Sequence, residues 1–239
     1  FAVINLVGIL HQSGRQKFAT LHAKGAEKLA QLAAKAGAVH FIQVSALGVE
    51  QAAASKYAHT KLLGEKAVQA AFPKATILRP SIIFGEGDGF FTRFANMATM
   101  LPFLPNFLPA IGGGKTRFQP VFVGDVAEAV LTCLRYDVAQ GKVFELAGPE
   151  IYSFSKLLAF TRCHAKANAF IVAVPFALAK LMASFCELLP TPPLTRDQVR
   201  LLRYDNVASG AYLGFDDLGI QPQTIDHIVP SYLARFTSR

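Results

Sequence analysis

The hydrophobic positions along the first eighty residues predict alternating strands and helices. Residues 1–10 form a continuous apolar run rich in β-branched residues, which is typical of a strand buried on both faces. Apolar residues at helical spacing predict a helix over about 15–36 that ends at Gly37. Its expected buried stripe consists of five residues: Phe18, Leu21, Leu29, Leu32 and Ala33. Buried strands at 39–48 and 75–80, with a helix between them, complete the pattern of a parallel sheet with right-handed crossovers.

The pattern changes after Gly85. We predict a helix near residues 90–100 and then an apolar, proline-broken loop over 97–111. This loop is shorter than the roughly 20 apolar residues of a membrane-spanning helix. We expect it to be mobile and to expose three side chains: Phe103, Leu104 and Phe107.

The rest of the chain is predicted to be mainly helical after two short strands. "TRFQPVFVGDVAEAV" indicates a strand and a helix in which Asp125 and Glu128 form a capping box. "KVFELAG", residues 142–148, indicates the last strand. Pro175 is expected to begin one helix, and "TRDQ", residues 195–198, contains the spacing of a second capping box.

These elements predict an α/β fold: a Rossmann-type, doubly wound parallel sheet with a small, mostly helical C-terminal lobe. The nucleotide-binding core would comprise residues 1–80 and 124–148. The smaller lobe, for a substrate or partner, would comprise residues 81–123 and 149–239. Neither an internal repeat nor a low-complexity linker separates the two parts.

Composition narrows the class of protein. The chain has 239 residues, of which 52% are hydrophobic and 17% charged, as in a globular protein with a full core. Its net charge of +8 favours phosphate-bearing ligands or an anionic membrane surface. Without a long basic run, a helix-turn-helix or an aromatic RNA-binding motif, nucleic acid is not an expected partner.

The cysteines and histidines point to a reducing compartment and to no metal site. Three cysteines lie far apart, at positions 133, 163 and 186, without CxxC spacing. The six histidines form neither an HxxxH nor an HExxH pair. We therefore expect reduced thiols and no metal.

The stretch "YAHTK" places a phenol and an ammonium one helical turn apart, on one face of the second predicted helix. By spacing alone, a tyrosine and a lysine in this arrangement are more often a solvated surface pair. The position of Tyr57 and Lys61 favours a functional role, because "NLVG", Ser45 and "RPSIIFG" each end one of three successive predicted strands. Ligands of parallel sheets bind at that edge.

These motifs in this order resemble the short-chain dehydrogenase/reductase superfamily, in its extended or atypical branch of NAD-dependent epimerase/dehydratase-like proteins. At finer grain, "VSALG", "LRPSIIFG", "RFQPVFVGDVAEAV" and "PPLTRDQVRLLRYDN" are similar to one group within it. That group surrounds the ninth alpha-subcomplex accessory subunit of respiratory complex I and includes bacterial relatives. The last motif, residues 192–206, is the most specific for the group.

The resemblance implies a role for each motif residue. Tyr57 would be the acid/base, Lys61 would lower the pKa of its phenol and bind the nicotinamide ribose, and Ser45 would polarise a substrate carbonyl. The cofactor, NADP(H) or NAD(H), would contact Tyr57 and Lys61 and also residues around the strand ends: Asn5, Leu6, Val7, Gly8, Val44, Pro80, Ser81 and Ile83. The substrate, of unknown identity, would contact Leu47, Phe84 and Arg117.

Three departures from the family pattern limit these expectations. Leu47 occupies a position where many extended members carry a second hydroxyl. Arg117 lies one residue out of register with the phosphate-binding arginine of nucleotide-sugar enzymes, so a surface charge is an equal alternative. No Gly-rich turn precedes residues 1–8, and we expect the chain to lack an N-terminal βαβ portion of roughly 60–80 residues.

Three functional hypotheses stay open. The first is an NAD(P)-dependent oxidoreductase or epimerase that uses Tyr57 and Lys61. The second is a non-catalytic, nucleotide-loaded subunit associated with respiratory complex I. The third is a reductase at a membrane surface that acts on a quinone- or lipid-like substrate. The expected location is the bacterial cytoplasm or a compartment like the mitochondrial matrix, including the periphery of the inner membrane.

Overall fold

The computed structural model describes residues 2–100 and 106–236. Its strands, in chain order, are β1 (Ala2–Asn5), β2 (His40–Val44), β3 (Thr76–Pro80), β4 (Ile83–Phe84), β5 (Asn106–Ile111), β6 (Arg117–Phe118), β7 (Val121–Phe122), β8 (Val143–Leu146), β9 (Tyr152–Ser153) and β10 (Ala169–Val174). Its α-helices are α1 (Ala26–Lys35), α2 (Lys56–Ala71), α3 (Phe91–Thr99), α4 (Val123–Arg135), α5 (Phe154–His164), α6 (Phe176–Cys186), α7 (Arg196–Leu201) and α8 (Ile225–Leu233). None of the helices in these two ranges has both the length and the apolar character needed to cross a bilayer.

The central sheet has the strand order β1-β2-β3-β8, and each neighbouring pair is parallel. Helices α1 and α2 connect its first three strands in turn. Because all four strands point the same way, their carboxyl ends lie along one edge of the sheet. The predicted α/β, Rossmann-type fold is confirmed.

Alternation along the strands explains why helices cover both faces. Phe41 and Ile77 pack with side chains of α1 and α2 on one face. The residues that follow them, Ile42 and Leu78, pack with side chains of α4 on the other. Successive strand residues point to opposite faces, so a strand that is apolar at every position requires a helical layer on each side.

The remaining elements form a separate hydrophobic cluster built mainly from α3, α5, α6 and α8. Short two-stranded sheets border it: parallel β5–β10, parallel β4–β7 and antiparallel β6–β9. The division of the chain into a core of 1–80 and 124–148 and a lobe of 81–123 and 149–239 stays a prediction.

The apolar stretch 97–111 is not simply a loop. Helix α3 covers its beginning, and its last six residues are β5, which pairs with β10. A proline at position 109 is compatible with β5 because both strands of a two-stranded sheet are edge strands. Phe107 is exposed, as predicted. Phe103 and Leu104 lie outside the described residues.

The first strand is less buried than its apolar sequence predicts. β1 spans only Ala2–Asn5, and Asn5 is the one fully buried residue in it. Ile4, Leu6 and Val7 are each more than 40% exposed. In the described part of the chain β1 pairs with β2 alone, so it is an edge strand of the sheet.

The helix predicted over 15–36 begins later, and four of the five residues of its predicted stripe, all except Leu32, are buried or partly buried. Residues Ala19–Gly25 form a π-helical segment that continues into α1. A π-helical turn takes more residues than an α-helical turn, so it shifts the phase of the apolar stripe. Leu32 is consequently half exposed, whereas the polar His22 is buried.

In the C-terminal part three predictions are confirmed and one is wrong. The region after residue 148 is mainly helical, with α5 to α8, although it also contains the short strands β9 and β10. Asp125 lies inside the first turn of α4 and accepts a hydrogen bond from the Gln223 N–H, and it forms no capping box. Pro175 does precede α6 directly, and Thr195 forms the predicted capping box with Gln198.

Candidate active site

Helix α2 carries the two central residues, and its N-terminus is held by a carboxylate from far along the chain. The Ser55 hydroxyl caps the helix by accepting the Ala58 N–H, as helix N-termini prefer. The Asp197 carboxylate accepts the N–H groups of Lys56 and Tyr57, each at 2.9 Å, and the Ser55 hydroxyl at 2.8 Å. A negative charge is stabilised at this end of a helix, so Asp197 completes the cap.

Lys61 reaches from α2 to the carboxyl ends of β1 and β2. Its Nζ donates to the Val44 carbonyl at 3.3 Å and lies 3.5 Å from the Val7 carbonyl. The side chain is only 6% exposed, and burial lowers the pKa of Lys61 to about 8, although Glu65 opposes this shift. A Cβ at Gly8 would lie 3.0 Å from Nζ, so glycine leaves room for the ammonium.

Tyr57 is partly buried, and its ring packs against two other rings. Phe18 and His22 contact the Tyr57 ring in edge-to-face arrangements, with their ring centroids 6.0 Å and 5.3 Å from the Tyr57 ring centroid. Burial raises the pKa of Tyr57 to about 12 because the phenolate would lose its hydration. The phenol is therefore protonated at neutral pH in this structure, and the role of Lys61 in lowering its pKa stays a prediction.

His22 links the π-helical segment, α2 and the loop after β1. Its Nε2 accepts the Ile9 N–H and its Nδ1 lies 3.1 Å from the Thr60 hydroxyl. That hydroxyl donates to the Lys56 carbonyl, so we assign the proton of the neutral imidazole to Nδ1. Burial, and next the charge of Lys61, lower the pKa of His22 to about 4.

Sequence reasoning missed His22 because a polar residue inside an apolar helical pattern is usually assigned to the solvent face. The signal that could have found it is its neighbour across the interface, Gly64. A Cβ at Gly64 would lie 2.0 Å from the His22 carbonyl oxygen, so α2 and the π-helical segment approach each other at backbone distance. A glycine in a helix interior, without a positive φ, commonly marks such an approach.

Ser45 and Leu47 follow β2 and have different surroundings. The Ser45 hydroxyl oxygen is buried and has no hydrogen-bond partner within the described residues. Buried hydroxyls are normally paired, and an unpaired one at this edge is free to bind a ligand. Leu47 is 4% exposed, and its carbonyl accepts the Asn206 side-chain amide.

The predicted cofactor contacts at the first two strands lie together. Asn5 is buried, and its side-chain amide donates to Gln43 of β2 at 2.8 Å. Its side-chain oxygen accepts the Val7 N–H, which shapes the turn after β1. Leu6 and Val7 have exposed side chains, and Val44 presents its carbonyl to Lys61.

The third strand end is occupied by a late segment of the chain. Ser81 is buried, and its hydroxyl donates to the Asn206 side-chain oxygen at 2.7 Å. Pro80 is the last residue of β3, and its carbonyl accepts the Leu47 N–H. Ile83 is half buried in β4 and pairs with Val121. This side of the site is therefore held in place by contacts within the chain.

Two of the predicted substrate contacts are engaged elsewhere. Phe84 is fully buried among aromatic rings of the lobe, including Phe91 and Phe122, so its side chain does not line an open edge. Arg117 binds the Asp205 carboxylate at 2.8 Å, and its side chain is 60% exposed. This geometry fits the surface-charge alternative for Arg117.

A comparison with known protein families decides the relationship of the chain. The model of the RmlD substrate binding domain matches residues 12–154. The chain belongs to the RmlD substrate binding domain family. The match extends from the loop after β1 to the start of α5, and so includes Tyr57, Lys61 and the whole strand-end region except residues 5–8.

The relatives agree with the group indicated by the sequence motifs. The mitochondrial NADH dehydrogenase (ubiquinone) 1 alpha subcomplex subunit 9 of Arabidopsis thaliana is 34% identical over 245 residues, which cover 98% of this chain and 60% of that protein. The Mus musculus protein of the same name is 31% identical over 226 residues, covering 94% and 59%. The chain thus spans about three fifths of the length of these relatives.

Solved structures show the same fold. The dTDP-glucose 4,6-dehydratase DesIV from Streptomyces venezuelae, solved with NAD bound, superposes with a TM-score of 0.69 at 16% identity. The superposition covers 98% of this chain and 72% of that chain. Together with the family match and the relatives, it confirms the resemblance to epimerase/dehydratase-like short-chain dehydrogenases and to the complex I subunit group.

Proposed function

We propose that this chain contributes the Tyr57/Lys61 side of a nicotinamide dinucleotide site and acts as an NAD(P)-dependent oxidoreductase or epimerase. The observation that carries the proposal is the Lys61 ammonium, buried beside Gly8 and bound to the Val44 carbonyl at the carboxyl edge of the sheet. A buried cation at that edge is placed to bind a ribose hydroxyl or a diphosphate oxygen. The NAD bound in the dehydratase of the same fold supports this assignment.

Several features of the edge fit such a ligand. Gly8 keeps the space in front of Lys61 free of a side chain, and Leu6 and Val7 are exposed beside it. Ser45 supplies a buried hydroxyl without a protein partner in the described region. We assign Lys61, the backbone of residues 6–8 and Ser45 to the cofactor and the reacting carbonyl. Whether the cofactor is NAD(H) or NADP(H) stays open.

In the reductive direction, Tyr57 would be the general acid. A reduced nicotinamide bound at this edge would supply a hydride to a carbonyl carbon. Tyr57, with its raised pKa, holds the proton that the carbonyl oxygen must gain, and Lys61 stabilises the phenolate that remains. Ser45 would orient the same oxygen by donating its hydroxyl hydrogen. One hydride and one proton then convert a ketone into an alcohol.

The nucleotide site is tested by titrating the protein with NADH and with NADPH and following their fluorescence. Lys61→Met is expected to weaken binding at least tenfold, since a charge-assisted hydrogen bond contributes about 1.5–3 kcal/mol. Lys66→Met is the matched control, because Lys66 lies exposed on the same helix. Equal affinities of the two variants, or no binding of either nucleotide at millimolar concentration, would remove the proposal.

The second candidate function is a nucleotide-loaded accessory subunit that does not turn over its cofactor. The names of the relatives favour it, since they are subunits of a respiratory NADH dehydrogenase. On this hypothesis the protein resides in a bacterial cytoplasm or a mitochondrial matrix, bound to respiratory complex I. Native electrophoresis of detergent-solubilised membranes, followed by immunodetection, would find the protein in the complex I band.

Turnover separates the two functions. Quinones, sterol-like ketones and nucleotide-sugars are suitable first substrates, and the quinones also test the hypothesis of a reductase at a membrane surface. For an enzyme, Tyr57→Phe should lower kcat by about 10²–10⁴-fold, as expected for loss of a general acid, and leave nucleotide affinity unchanged. Tyr136→Phe, at an exposed tyrosine, is the control. Tight nucleotide binding without turnover of any compound would establish the accessory function instead.

A further inference from the structure

Helix α6 exposes an apolar surface that faces away from the protein. Its outward side chains, together with the turn that follows the helix, form what we call the outer stripe: Leu178, Leu181, Met182, Phe185, Leu188 and Leu189. Each is more than 40% exposed, and Leu188 reaches 82%. The spacing i, i+3, i+4, i+7 places the members within α6 on one face of the helix.

The two fully buried residues of α6 are small, and beside them only Phe176, Ser184 and Cys186 of this helix are partly buried. Ala179 and Ala183 are fully buried against the lobe. A helix that served only to cover the core would bury its large side chains and expose small or polar ones. α6 does the reverse, and contiguous exposed apolar surface of this kind marks an interaction site.

Basic side chains accompany the outer stripe. Lys180 is exposed and is the one charged residue in the sequence of α6. At the beginning of the helix, the Arg203 guanidinium lies 4.9 Å from the centre of the Phe176 ring. Just after its end, Glu187 is neutralised by Arg196, at 2.7 Å. The helix that carries the outer stripe thus has a basic side chain and no acidic one, and the acid just after it is already paired.

We propose that the outer stripe inserts into the interfacial layer of a bilayer that contains anionic lipids. A helix with one apolar face and a basic polar side, on a protein of positive net charge, is the pattern by which helices lie in a membrane surface, with the apolar side chains among acyl chains. α6 has 11 residues and is about 16 Å long at 1.5 Å per residue, so it lies in the plane of the membrane and does not span it.

The shape of the stripe favours lipid over a protein partner. The side chains project from the outside of a single helix and form a convex ridge, and a lipid surface adapts to a ridge without a matching groove. The net charge of +8 adds long-range attraction to an anionic surface. This location is independent of the nucleotide site, which lies at the strand ends and on α2.

Vesicle flotation tests the proposal with the full chain. Binding is measured with vesicles of phosphatidylcholine that contain about 30% phosphatidylglycerol and therefore have an anionic surface. It is compared with binding to vesicles of phosphatidylcholine alone. Leu181→Ser combined with Phe185→Ser should lower the partition coefficient at least about tenfold, because each change removes an apolar side chain that the bilayer would bury. Lys180→Glu should weaken binding to the anionic vesicles more than to the neutral ones.

Matched changes on other helices provide the control. Leu32→Ser combined with Leu131→Ser alters two similarly exposed leucines on α1 and α4 and should leave partitioning unchanged. Titration of the α6 variant with NADH and NADPH shows, independently of vesicle binding, whether its fold and nucleotide site are intact. Absence of vesicle binding by the unmodified protein overturns the proposal. Light scattering that shows a dimer, dissociated by the α6 changes, assigns the stripe to a second copy of the chain and also overturns it.

Discussion

The Asp197 carboxylate accepts a hydrogen bond from the Tyr57 backbone N–H at 2.9 Å, although 140 residues separate the two in the chain. Asp197 is the second residue of α7, in the motif that indicated the complex I subunit group. The motif thus acts on the helix that carries the proposed acid. The first turn of α2, and with it the position of Tyr57, is therefore stabilised by a side chain that lies far away in the sequence.

Asp197→Ala should destabilise the protein by about 1–2 kcal/mol, because three donors at a helix N-terminus lose their acceptor. Urea denaturation measures the change. Glu128→Ala, at an exposed acid of α4, should stay within about 0.5 kcal/mol of the unmodified protein. If the Asp197 variant is as stable as this control, Asp197 does not support α2.

Gly64→Ala should destabilise the protein even though alanine is the better helix former. The new Cβ would lie 2.0 Å from the His22 carbonyl oxygen, and the backbones of α2 and the π-helical segment must separate to accept it. Such overpacking costs about 1–3 kcal/mol. Gly89→Ala serves as the comparison, since a Cβ there meets nothing within 4 Å. Equal melting temperatures for the two variants would show that the contact is not close.

His22 should make stability depend on pH in weakly acidic solution. Its folded pKa of about 4 lies below the unfolded value of 6.5, so the unfolded chain binds more protons between these values. Stability is therefore fully present above pH 6.5 and is lost as the pH falls towards 4. The loss amounts to roughly 3 kcal/mol at 1.36 kcal/mol per pKa unit.

The variant His22→Gln isolates this effect from the carboxylates that titrate in the same range. Denaturation curves at several pH values between 4 and 7 should show a shallower decline for His22→Gln than for the unmodified protein. Parallel declines would mean that the pKa of His22 is the same in the folded and the unfolded chain, which would contradict its burial as a neutral imidazole.

Arg79 and Glu65 form a buried ion pair that fixes α2 to β3. Three contacts of 2.7–3.2 Å join them, both side chains are at most 5% exposed, and the Tyr212 ring covers the guanidinium. Arg79→Met should cost about 3–5 kcal/mol because it leaves the carboxylate buried without its cation. Arg235→Met, which removes an exposed pair with Glu86, should cost less than about 1 kcal/mol. Similar losses in thermal denaturation would contradict a buried role for Arg79.

The parallel sheet was predictable because its strands are apolar at consecutive positions. Phe41, Ile42, Ile77 and Leu78 require a helix on each face, and that requirement is visible in the sequence. The position of Lys61 could also be predicted, because helical spacing and the strand ends define it. Both predictions rest on the periodicity of side chains along an element. Such predictions are correct where one period continues without interruption.

The errors lie where a period is interrupted or where a distant segment intervenes. The π-helical segment changes the phase before α1, so Leu32 was assigned to the core and His22 was overlooked. Asp197 and Asn206 reach the site from the end of the chain, and their contacts depend on tertiary packing. The raised pKa of Tyr57 depends on burial by Phe18 and His22, which spacing within α2 cannot reveal.

The long separation between Asp197 and α2 also has a consequence for the order of events during synthesis. Tyr57 and Lys61 leave the ribosome well before the carboxylate that caps their helix. Until some 140 further residues have been added, the nascent chain holds α2 with an incomplete cap. A polypeptide that stops short of α7 would therefore contain every residue of the proposed chemistry and still present it on a frayed helix.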